Sequence, residues 1–203
     1  MEKVTSVEMA KVALDEKVED LKEVKAEVNN VIEKVEQIND EHNKELETLT
    51  EQIEAVEANK ADVTSMDALK ELTKNQEELK QDLKLAEELS KTLKAKGIKQ
   101  IEDVVTKVFE KHKEATKVFN ETEQAVTKTV SISTVVEDSK YLKDHATTIN
   151  QAFGYCNNIL LDYKIVKQGE PRYKSYHLGK RGLYPHLKEI FDQQILRDHK
   201  VFI

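Results

Sequence analysis

Apolar residues recur at alternating spacings of three and four along the first part of the chain, with charged residues of both signs between them. This spacing is the heptad pattern of helices that pack along one seam. With Val4 at heptad position a, the pattern continues without error to Val63. It predicts one helix over this stretch, on the order of 90 Å long at about 1.5 Å per residue.

The a and d positions of this helix form its heptad seam, and their residue types bear on the number of partners. The a positions are Val4, Lys11, Val18, Lys25, Ile32, Asn39, Leu46, Ile53 and Lys60, and the d positions are Val7, Leu14, Leu21, Val28, Val35, His42, Leu49, Val56 and Val63. Parallel dimers favour Leu at d, whereas five of these nine d residues are Val. The pattern therefore favours a parallel coiled-coil trimer, although an antiparallel arrangement would relax the rule and stays open.

Two successive seam positions, Asn39 and His42, are polar. A buried polar layer lowers stability but rejects slipped alignments, so we interpret both residues as an oligomer register lock. The alternative is an anion or metal bound on a symmetry axis. One His per chain is too little for a metal site, and we assign no metal ligand.

The seam is interrupted after Val63 and resumes at Leu69, two residues out of phase. Thr64 and Asp67 form a near capping box that can start a helix afresh, so we expect the helix to bend or unwind at Thr64 and Ser65. From there the seam reads Leu69, Leu72, Gln76, Leu79, Leu83, Ala86, Ser90 and Leu93.

A second slip, of one residue, falls at Gly97, after which the seam reads Ile101, Val105, Val108, His112, Ala115, Phe119, Thr122, Val126 and Thr129. Gly is common after a helix C-terminus, so residues 66–96 and 99–130 could fold back on each other, or on the first helix, as a bundle. A continuous helix also absorbs a one-residue slip. Because the loop would contain no Pro or Asn, we favour the continuous helix.

Composition changes near residue 130. Four of the five Gly, both Pro and all six Tyr follow it, and the net charge is −10 before it and +3 after it. We predict a coiled coil over 1–63, a coiled coil over 64–130 after the register break with the second break at 97, and a small α+β domain over 131–203. The predicted fold class is mainly α, a long parallel coiled coil with this α+β domain at its C-terminal end.

The C-terminal domain reads as helix, helix, strand, turn, strand, helix, with the turn at 168–171. From Lys164 to Lys188, seven basic residues and three Tyr are interleaved, and Glu170 is the single acidic residue. The candidate contacts to an anion, nucleic acid or a partner are Lys164, Lys167, Arg172, Tyr173, Lys174, Tyr176, Lys180 and Arg181. We favour the interpretation that these charges solvate the β-hairpin formed by the two strands, or that they pair with an acidic partner such as the stalk of a neighbouring copy. Binding of nucleic acid is the less favoured interpretation.

Two resemblances suggest families. "NKADVTSMDALKEL", a break that restarts a Leu heptad, resembles the trimeric coiled-coil stalks of bacteriophage tail and head fibres, which implies a virion fibre or spacer with one end attached. "SISTVVED", "HATTINQAF" and "YKIVKQGEPRYKSYHL" are similar to the winged-helix module of phage antirepressor-type proteins. That similarity implies a recognition helix containing His145, Thr147, Thr148, Asn150 and Gln151, with the wing tip at residues 167–174.

Catalytic motifs are missing from the sequence, since it has no Gly-rich phosphate loop, no paired His at metal spacing and no Ser or Cys in a nucleophile turn. We assign no catalytic residue and no cofactor, and expect Cys156 to be a small buried residue. No segment fits a signal peptide or a membrane span.

We therefore expect a non-enzymatic, self-associating stalk protein. It would be made in the cytoplasm and located in the virion if it is phage-derived. Its partners would be itself, as a homotrimer, and another structural protein at one end. The alternative is a DNA-binding regulator that the coiled coil oligomerises and that binds through the basic hairpin.

Overall fold

The computed structural model describes residues 2–131 and 133–167 together with Leu183 and Pro185, with side chains from Ser6 onward. Three long helices make up most of this part of the chain: α1 (Glu2–Ala61), α2 (Met66–Thr127) and α3 (Val135–Asp162). The described residues contain no strand. The mainly helical class is thus confirmed, while the trimer, the coiled coil and the α+β domain remain predictions.

The chain divides into two compact units. The first, which we call the hairpin unit, is Asn29–Ile101 and contains the second half of α1 and the first half of α2. The second, the three-helix unit, combines Met1–Val28 with Glu102–Ile203 and therefore contains α3 together with the other halves of α1 and α2.

The interruption after Val63 is a reversal of the chain. The last turn of α1 closes with hydrogen bonds from the amides of Asp62 and Val63 to the carbonyls of Asn59 and Lys60. The first turn of α2 begins one residue later than the near capping box predicts, because the carbonyl that accepts the Leu69 amide at 3.0 Å is that of Ser65. Asp67 lies in the first turn of α2, where a carboxylate interacts favourably with the helix dipole.

The helices of the hairpin unit run antiparallel. Lys60 Nζ donates to Gln76 Oε1 at 2.7 Å beside the turn, and further along α1 Val35 meets Gly97. As the residue number rises in α1, that of its partner falls in α2. The heptad seam faces inward, and its buried members in this unit are Val35, Ile53, Val56, Gln76, Ala86, Ser90 and Ile101. The antiparallel arrangement, which the heptads left open, is therefore the one within this chain.

Gly97 lies inside α2, which continues through it without a break as the continuous-helix alternative predicts. A Cβ at this position would lie 2.6 Å from Cγ1 of Val35. A Val side chain in a helix has one strongly preferred rotamer and cannot easily turn away. Gly97 is needed because the two helices approach closely here. The glycine that could have marked a turn in the sequence is therefore explained by packing.

The three-helix unit adds α3 to the α1 and α2 pair. Helices α1 and α2 are antiparallel here too, since Lys17 pairs with Glu114 at 3.3 Å and Lys107 with Glu27 at 3.2 Å. Helix α3 runs parallel to α1. Its first turns meet α1 near Lys11 and its later turns meet α1 near Lys25.

The core of the three-helix unit is built from small and branched apolar residues on all three helices. Its fully or almost fully buried members include Leu14, Leu21 and Val28 of α1, Val105, Val108, Ala115, Phe119 and Val126 of α2, and Leu142, Ala146, Ile149, Ala152, Cys156 and Leu160 of α3. Most of the α1 and α2 members are heptad seam positions. Burying each large side chain contributes about 1.5–3 kcal/mol.

The region after residue 131 differs from the prediction. A single helix, α3, replaces the two predicted helices, and a helix-ending turn lies where the strand before the turn at 168–171 was predicted. Lys164 takes a left-handed conformation with φ of 56°, and the amides of Lys164 and Ile165 donate to the carbonyls of Leu161 and Leu160. This is a Schellman cap with Lys in the place usually taken by Gly. The second strand and the last helix lie outside the described residues.

Two glycines inside helices give a matched test of this packing. Gly154 lies within α3, and a Cβ there would meet nothing within 4 Å. Gly154→Ala should raise the free energy of unfolding by about 0.5–1 kcal/mol through helix propensity alone. Gly97→Ala gains the same propensity but must also displace Val35, at a cost of about 1–3 kcal/mol, so a net loss near 1 kcal/mol is expected.

Urea unfolding followed by circular dichroism measures both changes. In the Val35→Ala background the penalty of Gly97→Ala should disappear, because the clashing methyl groups are gone. Stabilisation by Gly97→Ala in the otherwise unchanged chain would contradict the close approach.

Candidate functional site

A polar cluster lies where α3 packs on the beginning of α1. Asp138, Tyr141 and His145 share one face of α3, because they are spaced by three and four residues. Lys11 and Asp15, four residues apart, share the facing side of α1. We call these five residues the junction cluster.

An ion pair holds the first turn of α3. Lys11 Nζ lies 2.6 Å from Asp138 Oδ1, and the Asp138 side chain is only 11% exposed. The same ammonium group lies 5.1 Å from the centre of the Tyr141 ring, within reach of a cation–π interaction. A carboxylate this buried needs its cation, since an unpaired buried charge costs several kcal/mol.

Tyr141 and His145 converge on one carboxylate oxygen. The Tyr141 hydroxyl lies 2.8 Å from Asp15 Oδ1 and 2.9 Å from the backbone oxygen of Lys11. His145 Nε2 lies 2.8 Å from the same Asp15 oxygen. Burial, together with the hydrogen bond to Asp15, raises the pKa of Tyr141 well above its usual value, so its hydroxyl remains a donor throughout the physiological range.

Aromatic contacts join α2 to the middle of α3. The Phe153 ring lies edge-on to Phe109, with centroids 5.4 Å apart, and 4.8 Å from the imidazole ring of His112. Burial lowers the pKa of His112 from 6.5 to about 4. His112 is therefore neutral at physiological pH and packs as an apolar ring in the seam.

Cys156 is fully buried on α3, as the sequence led us to expect. Burial raises the pKa of its thiol to about 12, and the charge of nearby Lys25 opposes this only in part. Lys25 itself lies over the ring of Tyr155, 5.1 Å from its centre. A thiol without thiolate character is a poor nucleophile, so Cys156 acts as a packing residue.

Asn150 of α3 binds the backbone of Leu183. Its side-chain amide donates to the carbonyl of Leu183 at 2.9 Å, and its carbonyl oxygen accepts from the Leu183 amide at 2.8 Å. The backbone amide and carbonyl of Leu183 are thereby both paired with the Asn150 side chain.

The helix segment that the winged-helix resemblance assigns to base recognition uses most of its polar groups internally. Thr147 and Thr148 donate to carbonyls of α3 itself, at Lys143 and Asp144. His145 and Asn150 make the contacts described above, and Gln151 is exposed.

The predicted register residues Asn39 and His42 lie on α1 in the hairpin unit, and both are partly buried. His42 Nδ1 contacts Glu45 Oε2 at 3.1 Å, one turn along the same helix. In a parallel oligomer these residues would meet their own copies in one layer, whereas an antiparallel pair of helices contains each of them once. Their role in fixing the register stays a prediction.

Two of the predicted partner contacts can be placed. Lys164 and Lys167 are exposed at the end of α3, on either side of the buried Ile165 and Val166. The other six, namely Arg172, Tyr173, Lys174, Tyr176, Lys180 and Arg181, lie outside the described residues.

The junction cluster was not predicted as a site, although one signal pointed to it. Lys11 occupies an a position of the heptad seam, where a charged residue requires a polar partner. The partner, Asp138, lies 127 residues further along the chain. Heptad spacing carries no information about such a distant residue.

Over the part of the chain that the structure describes, no group of three or more His, Cys, Asp and Glu side chains could hold a metal ion. None of the described helices has the length and apolar character that crossing a membrane requires. Comparisons of the chain with models of protein families, with curated proteins and with solved structures found no match.

His112 makes the stability of the fold depend on pH. In the unfolded chain a His takes up its proton near pH 6.5, whereas His112 in the folded chain does so only near pH 4. The unfolded state therefore holds more protons between these values, and stability falls as the pH drops through this window. Between pH 7 and pH 5 the loss should be about 1–2 kcal/mol, allowing for the partial exposure of the ring.

His112→Leu removes the titrating group and keeps an apolar side chain against Phe153. Urea unfolding at pH 7 and pH 5 should show a smaller acid-induced loss in this variant than in the parent chain. An equal loss in both proteins would show that His112 is protonated as easily in the folded state as in the unfolded one.

Cys156 should react with thiol reagents only when α3 opens. We expect labelling by a disulfide reagent at pH 8 to be slower than that of an exposed thiol by more than about a hundredfold, equivalent to an opening free energy of roughly 3 kcal/mol. The control is Cys156→Ala combined with Asn158→Cys, which places the thiol at an exposed position of the same helix. Similar labelling rates for the two proteins would refute the burial of Cys156.

Proposed function

We propose that the protein is a non-enzymatic structural component whose paired helices act as a spacer and whose C-terminal part docks to a partner. A component of a bacteriophage virion is the most concrete form of this proposal, on the basis of the resemblance to fibre stalks. The observation that carries it is that seam residues of α1 and α2 face each other within one chain, as the contacts of Lys60 with Gln76 and of Val35 with Gly97 indicate.

The construction of the hairpin unit supports a mechanical role. Within residues 29–101, the two packed helices bury one line of residues and form no third layer that could enclose a substrate. The groove beside Leu46 and Leu83 is open and is bordered by Glu47, Glu51 and Glu87. Over residues 29–101 there are seventeen Asp and Glu against eleven Lys, which gives this unit a solvated, acidic exterior.

The three-helix unit supports the docking role. Helix α3 is fastened to α1 by the junction cluster and to α2 by Phe153, and Leu160, Ile165 and Val166 at its end are buried. The chain leaves this end at Lys164 and enters the basic run that continues to Lys188. A fixed base followed by a basic segment suits attachment to an acidic protein surface.

A DNA-binding regulator is the second candidate, and the basic run favours it because Lys, Arg and Tyr can contact phosphates and bases. The internal hydrogen bonds of Thr147, Thr148 and Asn150 weigh against readout by α3. We therefore place the structural role first.

DNA titration of the full chain separates the two functions. Fluorescence anisotropy with a labelled duplex should show no binding at 150 mM salt if the role is structural. A regulator should bind with an affinity that falls steeply as salt rises, and should lose it on Arg172→Ala with Lys174→Ala. The matched control is Lys91→Ala with Lys94→Ala, which removes the same charge from exposed positions of the hairpin unit. Binding that only the first pair abolishes would overturn the structural proposal.

Sedimentation equilibrium of the same protein tests how the seam is used. We expect the mass of one chain, because seam residues of α1 and α2 face each other within it. A mass of three chains would contradict this expectation and return attention to the trimer that the d positions favour.

A further inference from the structure

We propose that His145 is a pH-sensitive pin between α3 and α1, which engages when its imidazole ring carries two protons and releases Asp15 when it carries one. The proposal rests on what the two ring nitrogens face. It is independent of the proposed structural function, because it concerns how α3 is held and not what the protein binds.

Both nitrogens of His145 point at groups that only accept hydrogen bonds. Nδ1 lies 2.8 Å from the backbone oxygen of Tyr141, one turn earlier in α3. Nε2 lies 2.8 Å from Asp15 Oδ1 of α1. A carbonyl oxygen has no proton to give, and neither has an ionised carboxylate, so both contacts are hydrogen bonds only if both nitrogens carry a proton.

The charged and titratable neighbours of the His145 ring do not supply a donor to either nitrogen, so both nitrogens must still carry a proton. On α1 they are Asp15 and Lys11, and the Lys11 ammonium is paired with Asp138 of α3. On α3, Tyr141 lies with its ring centre 4.2 Å from that of His145, and its hydroxyl donates towards Asp15 and Lys11. Among the contacts described for the His145 ring, none comes from α2.

Loss of one proton makes the two contacts incompatible. In either neutral form a nitrogen lone pair would face an oxygen 2.8 Å away, which is repulsive. The contact with Tyr141 lies within one helix turn and moves little. The Asp15 side chain is 55% exposed and can rotate into water. The ring therefore keeps the proton on Nδ1 and releases Asp15.

The release weakens one fastening of α3 and leaves the others. Lys11 still pairs with Asp138, and Tyr141 still donates to the backbone of α1. Histidine is the side chain whose charge proteins commonly switch with pH, so such a pin responds to acidification. Acid tightens this junction, whereas it destabilises the packing around His112.

Nitrogen NMR of the full-length protein tests the proposal directly at the His145 ring. At pH 5.5 both ring nitrogens should show the shifts of protonated imidazolium, and at pH 8 Nδ1 alone should keep its proton. A ring that carries a single proton at pH 5.5, or that keeps the proton on Nε2 at pH 8, would overturn the pin.

Hydrogen exchange gives the consequence for the helix. After correction for intrinsic rates, amides of residues 139–146 should exchange several-fold more slowly at pH 5.5 than at pH 8, relative to amides of residues 152–159. His145→Gln, which cannot change charge, should abolish the slowing of residues 139–146 at pH 5.5, and Asp15→Asn should reduce it. In the control His112→Leu, residues 139–146 should still exchange more slowly at pH 5.5, whereas any acid-induced loosening of residues 152–159 near Phe153 should be lost. Unchanged slowing of residues 139–146 in His145→Gln would refute the coupling of the ring to α3.

Discussion

The seam between α1 and α2 is the contact on which the other features of this protein depend. In the hairpin unit it is the interface that the two helices share, so each buried position has a partner on one opposing helix. Because each helix of this unit packs on one other helix, a side chain that does not fit cannot be accommodated by a second neighbour. This explains why a Gly is required where α2 passes Val35. It also explains why polar residues such as Gln76 are tolerated there. A polar group near the edge of a narrow interface can reach a partner such as Lys60.

In the three-helix unit, α3 changes the energetics by covering the same pair of helices. Seam residues of α1 and α2 such as Leu14, Val108 and Phe119 are almost completely buried. The polar junction cluster forms at the margin of this core, where side chains are partly buried and still find hydrogen-bonding partners. Its ion pair and hydrogen bonds select one placement of α3, because a shift of one turn would leave Asp138 buried without its cation.

The positions of the seam could be predicted from the sequence, but the direction of the partner helix could not. A spacing of three and four reads the same when one helix is reversed, and the preference for Leu at d holds only for parallel pairs. The interruption at Thr64 predicted a break, although its angle depends on which residues meet across the turn. The end of α3 could not be placed from the sequence, because its C-terminal cap uses Lys164 in place of Gly and precedes the β-prone Ile165 and Val166. The junction cluster joins residues more than a hundred positions apart, and only the packed fold brings them together.

His112 and His145 show how the surroundings decide what one residue type does. His112 packs against Phe153, and desolvation favours its neutral form. His145 faces two oxygen acceptors, and its hydrogen bonds require the charged form. His112 of α2 contacts α3 at Phe153, whereas His145 belongs to α3 and contacts Asp15 of α1. Acid therefore weakens the contact of His112 with Phe153 and strengthens that of His145 with Asp15. The stability of α3 should thus respond to pH differently near His145 and near Phe153. A single unfolding curve would average the two effects, whereas exchange resolved along α3 separates them.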